Sequence, residues 1–386
     1  MKNILYYTSS NFLDEALETI QTIKNDFIIY LIIEVTPHSK NATILNTADL
    51  NNFSLFESPV TFLGTEKFLQ ISKYFKNVKK VFFFINKSFN SFCLASIRNS
   101  YYLHRFIKKN RISILHFDTF TTRILWIIPF IYSKKIILSI HDPIPHTGED
   151  NWKERIGDFF FYKIASNYLF FSNYSRQVFI DKYPEYLSKS SCIRLLPYNT
   201  YNQNIINTHD NKNYILFFGR LSYYKGIDIL LDTIPKILEF YPDQKFYIIG
   251  SKVENYRLNE DTIKTYKKNI ILIDHHIKMT DLINYIRNSK FIICPYREST
   301  QSGVLMTTKA LKKVVIASNV GSFSEYIKHG KDGFLTIPKS NNLASIVLKA
   351  LHNNFYKKVE SSLYKYKSDT DFMYNSMVLS KLYNSI

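Results

Sequence analysis

Apolar runs of four to eight residues recur along this chain, each separated from the next by a segment with helical spacing. In the first half they are NILYY at 3–7, Phe27–Glu34, KVFFFI at 80–85, SILHF at 113–117, KIILSI at 135–140, YLFF at 168–171 and CIRLL at 192–196. In the second half they are YILFF at 214–218, KFYIIG at 245–250, IILI at 270–273, Phe291–Cys294 and Val314–Ala317. Strands apolar on both faces must be covered on both faces, so the alternation predicts parallel sheets flanked by helices, a doubly wound α/β fold. Residues 35–75 are the least legible part, polar and mixed, with a weak helical pattern near 66–75.

At 386 residues the chain is too long for one ordinary core, and two domains are expected. The stretch 198–213 is polar, Asn-rich and without periodicity, the best candidate for a linker. It divides an N-terminal Rossmann-like domain, 1–197, from a C-terminal one, 214–365. The tail 366–386 is a helix with an apolar face, which suits packing back across the domain boundary onto the first domain or packing on its own domain.

The formal charge is +18, spread over both halves. Such a field favours anionic partners: nucleotide phosphates, nucleic acid or an acidic membrane surface. No nucleic-acid-binding motif is present. Cys93, Cys192 and Cys294 have no CxxC spacing, which argues against a disulfide framework or a zinc site and fits a reducing cytosol. Polar residues interrupt the start by Thr8, so no secretory signal is expected. The longest apolar runs, Ile124–Tyr132 and Phe27–Ile33, are shorter than the roughly 20 residues of a membrane helix. The basic, aromatic-laced segments Lys73–Lys80 and Arg105–Arg111 are candidates for peripheral contact with anionic lipid, against the alternative of a solvated helix face.

Three stretches carry chemistry. Gly219-Arg220-Leu221-Ser222-Tyr223-Tyr224-Lys225-Gly226 leaves a strand and opens a helix. Its guanidinium and ammonium over one turn suit a diphosphate. Phe291–Gly333 contains two strand-to-helix turns. The first opens a helix at Thr300-Gln301-Ser302-Gly303, and the second leads into a short helix carrying Glu325. Free N–H groups and the positive dipole end make such an edge an anion site. An ordinary capped helix is the bland alternative. His141-Asp142-Pro143-Ile144-Pro145-His146-Thr147-Gly148-Glu149 leaves a buried strand for a proline-stiffened loop. It supplies His141, Asp142, His146 and Glu149 as acid/base or sugar-contacting candidates. Asp369-Thr370-Asp371, by contrast, has the spacing of a metal-binding pair but the position of a helix cap.

YILFFGRLSYYKGIDILLDTI followed by PYRESTQSG and VVIASNVGSFSEYIKHGKDGFL resembles the donor domain of glycosyltransferase family 4, retaining enzymes of the GT-B fold, over about 200–338. KIILSIHD and YLFFSNYSRQVF resemble the family's first half more loosely. The resemblance implies two Rossmann-like domains facing across a cleft and a nucleoside-diphosphate sugar as donor. It also implies Arg220 and Lys225 on the diphosphate and His141 on the transferred sugar or leaving group. No bound metal and no cofactor are expected, and the anomeric configuration is retained. The donor set is then Gly219, Arg220, Lys225, Thr300, Gln301, Ser302 and Gly303. Glu298, Thr307 and Glu325 are candidates for ribose or sugar, and His275, His276, Ile277 and Lys278 for the base. The acceptor expected is a glycan, lipid-linked or part of a surface polysaccharide, at the cytoplasmic face of the membrane. The chain departs from the family's two glutamates eight positions apart. Ser299 or Thr300 stands in the first place, Thr307 or Thr308 in the second, and the turn resembles a Thr-Gln-Ser-Gly subgroup. A nucleotide-sugar hydrolase or epimerase of the same fold, or a non-catalytic nucleotide-binding protein, are the alternatives.

Overall fold

A computed structural model describes residues 1–39, 49–88, 92–145, 147, 152–203, 213–253, 256–364 and 369–386. The strands of the first half are β1 (Asn3–Ser9), β2 (Ile28–Val35), β3 (Phe56–Glu57), β4 (Lys80–Ile85), β5 (Ile114–Phe117), β6 (Lys135–Ser139), β7 (Asn167–Phe170) and β8 (Ser190–Cys192). They form one sheet in the order β3-β4-β2-β1-β5-β6-β7-β8, parallel except for β3. The second half gives β9 (Tyr214–Phe218), β10 (Lys245–Ile249), β11 (Ile270–Ile273), β12 (Ser289–Cys294), β13 (Val315–Ser318) and β14 (Phe334–Thr336). These form a fully parallel sheet, β11-β10-β9-β12-β13-β14.

In both sheets the order reverses beside the first strand: β1 lies between β2 and β5, and β9 between β10 and β12. At such a switch point neighbouring crossovers leave in opposite directions and open a crevice at the strands' carboxyl ends. β1 is buried from Ile4 to Ser9 and β9 throughout, as strands covered by helices on both faces require.

Local departures from the sequence pattern have physical causes. CIRLL does not form a strand at 192–196; β8 ends at Cys192. The backbone N–H of Arg194 donates to Asn375 Oδ1 at 2.8 Å, and that of Leu195 to Tyr326 Oη at 2.9 Å, so side chains occupy the donors a ladder would use. The helix expected near 121–132 is a 3-10 segment, Thr122–Ile127, followed by a single turn, Ile128–Ile131. The helix near 257–268 shrinks to Glu260–Thr265. Strands β3 and β14 are too short to leave a period in the sequence.

The stretch after Leu196 begins as a docked 3-10 turn, Asn199–Gln203. Asn199 N–H donates to Glu18 Oε1 at 2.7 Å, and Tyr201 Oη donates to Asp14 Oδ2 at 3.2 Å, both on the first helix, Leu13–Gln21. Residues 204–212 of the expected linker lie outside the described residues. The last helix, Asp369–Ser385, reaches the first sheet: Tyr383 Oη lies 2.5 Å from His116 Nδ1, and Lys2 Nζ donates to the Tyr383 carbonyl at 2.8 Å.

Asn375 is fully buried, and its amide exchanges two hydrogen bonds with the Arg194 backbone, at 2.8 and 2.7 Å. Asn375→Ala should cost about 2–3 kcal/mol in denaturant unfolding, since it leaves a buried N–H and C=O unpaired. Burial pushes Glu18 up to about 7, against the pull of Tyr74 and Asn199. A carboxyl raised on folding stabilises below its unfolded value and loses that contribution as pH climbs to its folded value. Stability should therefore fall by about 2 kcal/mol between roughly pH 4.5 and 7 from this group. Glu18→Gln should flatten that slope in pH-dependent unfolding.

Candidate active site

The two switch points face each other, and the side chains at their edges touch. On the second sheet, β9 ends at Gly219 and the chain turns through Tyr223–Lys225 into the helix Ile227–Leu238. Gly226 holds the turn in the left-handed region, φ 67°, and a Cβ there would lie 1.9 Å from the Pro295 carbonyl oxygen. Only glycine permits this approach, which presses the turn after β9 onto the turn after β12. Arg297 braces the same junction. Its guanidinium forks onto the Asp228 carboxylate, at 2.8 and 2.5 Å, and stacks over Tyr223.

Arg220 is exposed, with Nη2 donating to Tyr224 Oη at 3.0 Å. Lys225 is only 8% exposed, and its ammonium lies 3.9 Å from the centre of the Tyr296 ring and 4.8 Å from that of Tyr224. The aromatic faces hold a cation at little desolvation cost where water is excluded.

Beyond β12 the helix Gly303–Ala310 is capped by Ser302, whose Oγ accepts from Leu305 N–H at 3.2 Å. The amides of Gly303 and Val304 precede the first helical hydrogen bond and have no intrahelical acceptor. The second helix expected at this edge is one turn, Phe323–Tyr326. It offers no comparable dipole, so one helix N-terminus serves the edge rather than two.

Glu325, a candidate for ribose, is held by groups of the first half of the chain. It reaches the first sheet's side and caps the helix Asn173–Lys182, accepting from Asn173 N–H at 3.0 Å and Tyr174 N–H at 2.8 Å. Arg194 Nη1 completes its contacts at 3.1 Å. Glu298 accepts from the Thr147 hydroxyl. Thr307 is buried, and Thr308 returns its hydroxyl to the Val304 carbonyl at 2.7 Å within the helix. His275, His276 and Lys278 are exposed in the loop after β11, with Ile277 half-buried beneath them. Asp274 anchors that loop to Lys252 at 2.8 Å. Burial, with His275 adding to it, pushes the His276 imidazole down.

On the first sheet His141 follows β6 and is 6% exposed, sandwiched between Phe12 and Phe171 at ring separations of 3.9 and 5.1 Å. Its Nε2 meets the Asp118 carbonyl at 2.7 Å, and its Nδ1 lies 3.3 Å from Glu15 Oε1. Burial alone would push the imidazole down. Glu15 and Asp118 outweigh it and hold it well above its ordinary value. Burial pushes Glu15 up to about 7 despite His141. In Asp118, burial is outweighed by hydrogen bonding and charge from His141, which keep the carboxyl below its usual value.

Gln301 crosses from the second sheet and sets its side-chain amide 2.6 Å from His141 Nδ1. Its Oε1 has no hydrogen-bond partner among the described residues. Turning that amide, an assignment the hydrogen-bond network decides, presents the oxygen to an N–H at Nδ1. Thr300 Oγ1 donates to Asp142, and the Thr300 carbonyl accepts from Ser172 and Ser175 at 3.0 and 2.9 Å. The Thr300–Gly303 turn and the His141–Asp142 edge thus form one surface. His146 and Glu149 lie outside the described residues.

Glu15, Asp118 and His141 bring ligand atoms within 4.8 Å of one another, the one such metal-competent group among the described residues. Metal ligation needs a neutral imidazole with a free lone pair. Here Nε2 meets the Asp118 carbonyl and Nδ1 meets Gln301 and Glu15, so both ring nitrogens are taken up by protein groups. Glu15 and Asp118 were not among the residues the sequence pointed to. Asp118 follows β5 as His141 follows β6, so the same reasoning could have found it. Glu15 resembles an ordinary acid in a first helical turn.

Residues 200–368 match the family model for glycosyl transferases group 1. The chain is 28% identical over 167 residues to the uncharacterized glycosyltransferase MJ1178 of Methanocaldococcus jannaschii, covering 42% of this chain and 44% of that protein. It is 30% identical over 131 residues to spore coat protein SA of Bacillus subtilis, covering 32% and 35%. The matches thus span less than half the length of these curated relatives. Across the whole chain the fold is that of Anabaena Alr3699/HepE in complex with UDP and glucose (TM-score 0.68, 14% identity, 100% of both chains). It is equally that of sucrose-phosphate synthase from Thermosynechococcus elongatus (TM-score 0.68, 11% identity, 100% of both chains). The architecture is GT-B: two parallel-sheet α/β halves meeting at their switch points.

If Glu325 is a brace, Glu325→Gln should cost about 1–2 kcal/mol in denaturant unfolding, through a weakened cap and a lost ion pair. Nucleotide affinity measured by titration calorimetry should stay within about twofold, whereas loss of a ribose ligand would lower it by about tenfold or more.

Proposed function

We propose that this protein is a glycosyltransferase that moves a sugar from a nucleoside-diphosphate sugar to a glycan acceptor, with a uridine nucleotide as the donor's base. The observation that carries the reading is the meeting of Arg220, Lys225 and the Ser302-capped helix end with His141 across Gln301. UDP is the nucleotide in the complex of the similar Anabaena protein.

The chemistry follows from where charge develops. As the bond between the anomeric carbon and the diphosphate breaks, negative charge gathers on the leaving oxygens. Arg220, Lys225 and the amides of Gly303 and Val304 are fixed donors aimed at that charge, the arrangement that stabilises a transition state more than a ground state. His141 has Nε2 on the Asp118 carbonyl and Nδ1 on Gln301 and Glu15, so in this reading it holds the transferred sugar or the diphosphate side of the breaking bond once Gln301 gives up Nδ1 to them. Asp142 is its neighbour at the acceptor side. In this reading the displacement occurs on the face the leaving group departs from, with retention, and no carboxylate nucleophile is assigned. The acceptor approaches from the first sheet's edge, as a growing glycan.

Calorimetry with UDP should show binding that Arg220→Ala and Lys225→Ala each weaken by about 10- to 100-fold, the cost of one charge-assisted contact to phosphate. Equal binding by both variants and the parent protein would remove the clamp from this turn. Release of UDP from a UDP-sugar should rise with added acceptor glycan. Release that ignores the acceptor would mark a hydrolase instead.

A further inference from the structure

The helix Leu94–Lys109 is turned inside out over its first two turns. Its buried residues there are Ser96, Asn99 and Ser100, while Leu94 is 83% exposed and Ile97, Tyr101 and Tyr102 also face outward. The polar side is inward for a reason: Asn99 Nδ2 donates to Asn86 Oδ1, and Asn86 Nδ2 to Glu34 Oε1, a hydrogen-bonded line at the ends of β4 and β2. The rest of the outward face is cationic, with Arg98, Arg105, Lys108 and Lys109.

The next layer repeats the pattern. The segment Thr122–Ile131 packs beside this helix, with the Phe130 ring stacked 4.7 Å from His104, and it exposes Trp126 and Phe130. Tyr132 follows, 73% exposed, and Lys135 lies just beyond it. From residue 92 to 135 the sequence holds eight Lys and Arg against a single acid, Asp118, which is fully buried. Isolated exposed apolar residues are ordinary, but a continuous aromatic and aliphatic face rimmed by one sign of charge marks an interaction surface.

We propose that this face docks on an anionic lipid bilayer. An interfacial helix buries Leu, Ile and aromatic side chains at the headgroup boundary while Lys and Arg meet anionic headgroups. That is the division of labour on this helix. A second copy of the chain is disfavoured as the occupant, because a two-fold contact through one patch sets the same cations against each other. No described helix is long and apolar enough to cross the membrane, so the contact is peripheral. The helix begins at the carboxyl edge of the first sheet, the edge that carries His141. Docking through Leu94 and Ile97 brings the cleft to the lipid surface, within reach of an acceptor held there. The surface itself does not depend on the transferase reading.

The test is cosedimentation of the full chain with phosphatidylcholine vesicles, with and without about 30% phosphatidylglycerol, at low and high salt. Binding to the anionic vesicles should exceed binding to neutral ones by about tenfold or more and weaken with salt. Ile97→Ser, Tyr101→Ser and Trp126→Ser combined should lower it by about tenfold or more, from the apolar area withdrawn from the interface. Arg105→Gln, Lys108→Gln and Lys109→Gln combined should lower it roughly 100-fold, each cation being worth about fivefold. These positions are exposed, and thermal unfolding and UDP affinity should match the parent. The chain has two tryptophans, so Trp152→Phe leaves Trp126 as sole reporter, and its emission should shift to the blue on anionic vesicles. Absence of vesicle binding overturns the proposal, as do binding unchanged in both triple variants, an unshifted Trp126, or a dimer in solution that the apolar triple variant dissolves. Each of these with intact UDP binding leaves the donor reading standing. Vesicle binding without UDP binding sinks the donor reading alone.

Discussion

His141 is the group through which the two halves of the molecule are read as one site. A buried imidazole between two carboxylates is expensive unless every charge finds a partner, and truncating one member leaves the others desolvated and unpaired. Asp118 and Glu15 supply the opposing charge, Phe12 and Phe171 exclude water, and Gln301 from the opposite sheet closes the ring's last edge. The cluster is therefore complete only when the carboxyl ends of β6 and β12 meet. Low dielectric in turn strengthens the attraction between the histidine and the carboxylates around it.

The same edge explains why its backbone is so constrained. A strand end that presents amides to an anion must turn sharply without a side chain in the way, and Gly226 does this against the Pro295 carbonyl. The cost of holding Lys225 out of water is offset by two tyrosine faces, and Arg297 ties the turn to Asp228. Between the halves, Glu325 and Tyr326 do structural work in reverse: side chains of the second sheet cap a helix and bond backbone groups of the first. Relative motion of the halves would have to release those contacts together with the Gln301–His141 pair.

Much of this was legible in the sequence, because buried parallel strands leave continuous apolar runs. The runs YILFF and KVFFFI became β9 and β4 residue for residue. The turns after β9 and β12 were legible for the same reason, as glycine and small polar residues bounded by strands. What was not legible depended on long-range pairing. The CIRLL run has the composition of a strand, but Asn375, far along the chain, takes its backbone. Glu325 has the position of a dipole-complementing acid in its own helix and instead serves another. Glu15 and Asp118 are ordinary in sequence and unusual only in burial, which no local pattern reports. The reversed first turns of Leu94–Lys109 were hidden likewise, since an amphipathic pattern does not say which side faces in.

The missing family glutamates take on a different meaning in this setting. Thr307 and Thr308 lie inside the helix that follows the Thr300–Gly303 turn, with the Thr308 hydroxyl spent on its own backbone. Glu298 is turned toward Thr147 and Glu325 toward the helix Asn173–Lys182. Both carboxylates that are candidates for ribose thus make contacts with the first half of the chain. The carboxylates of the site sit on the other sheet, around His141. The charges around His141 and the turn that carries Gln301 come together only through contacts between the two halves, so a change in how the halves meet would alter both at once.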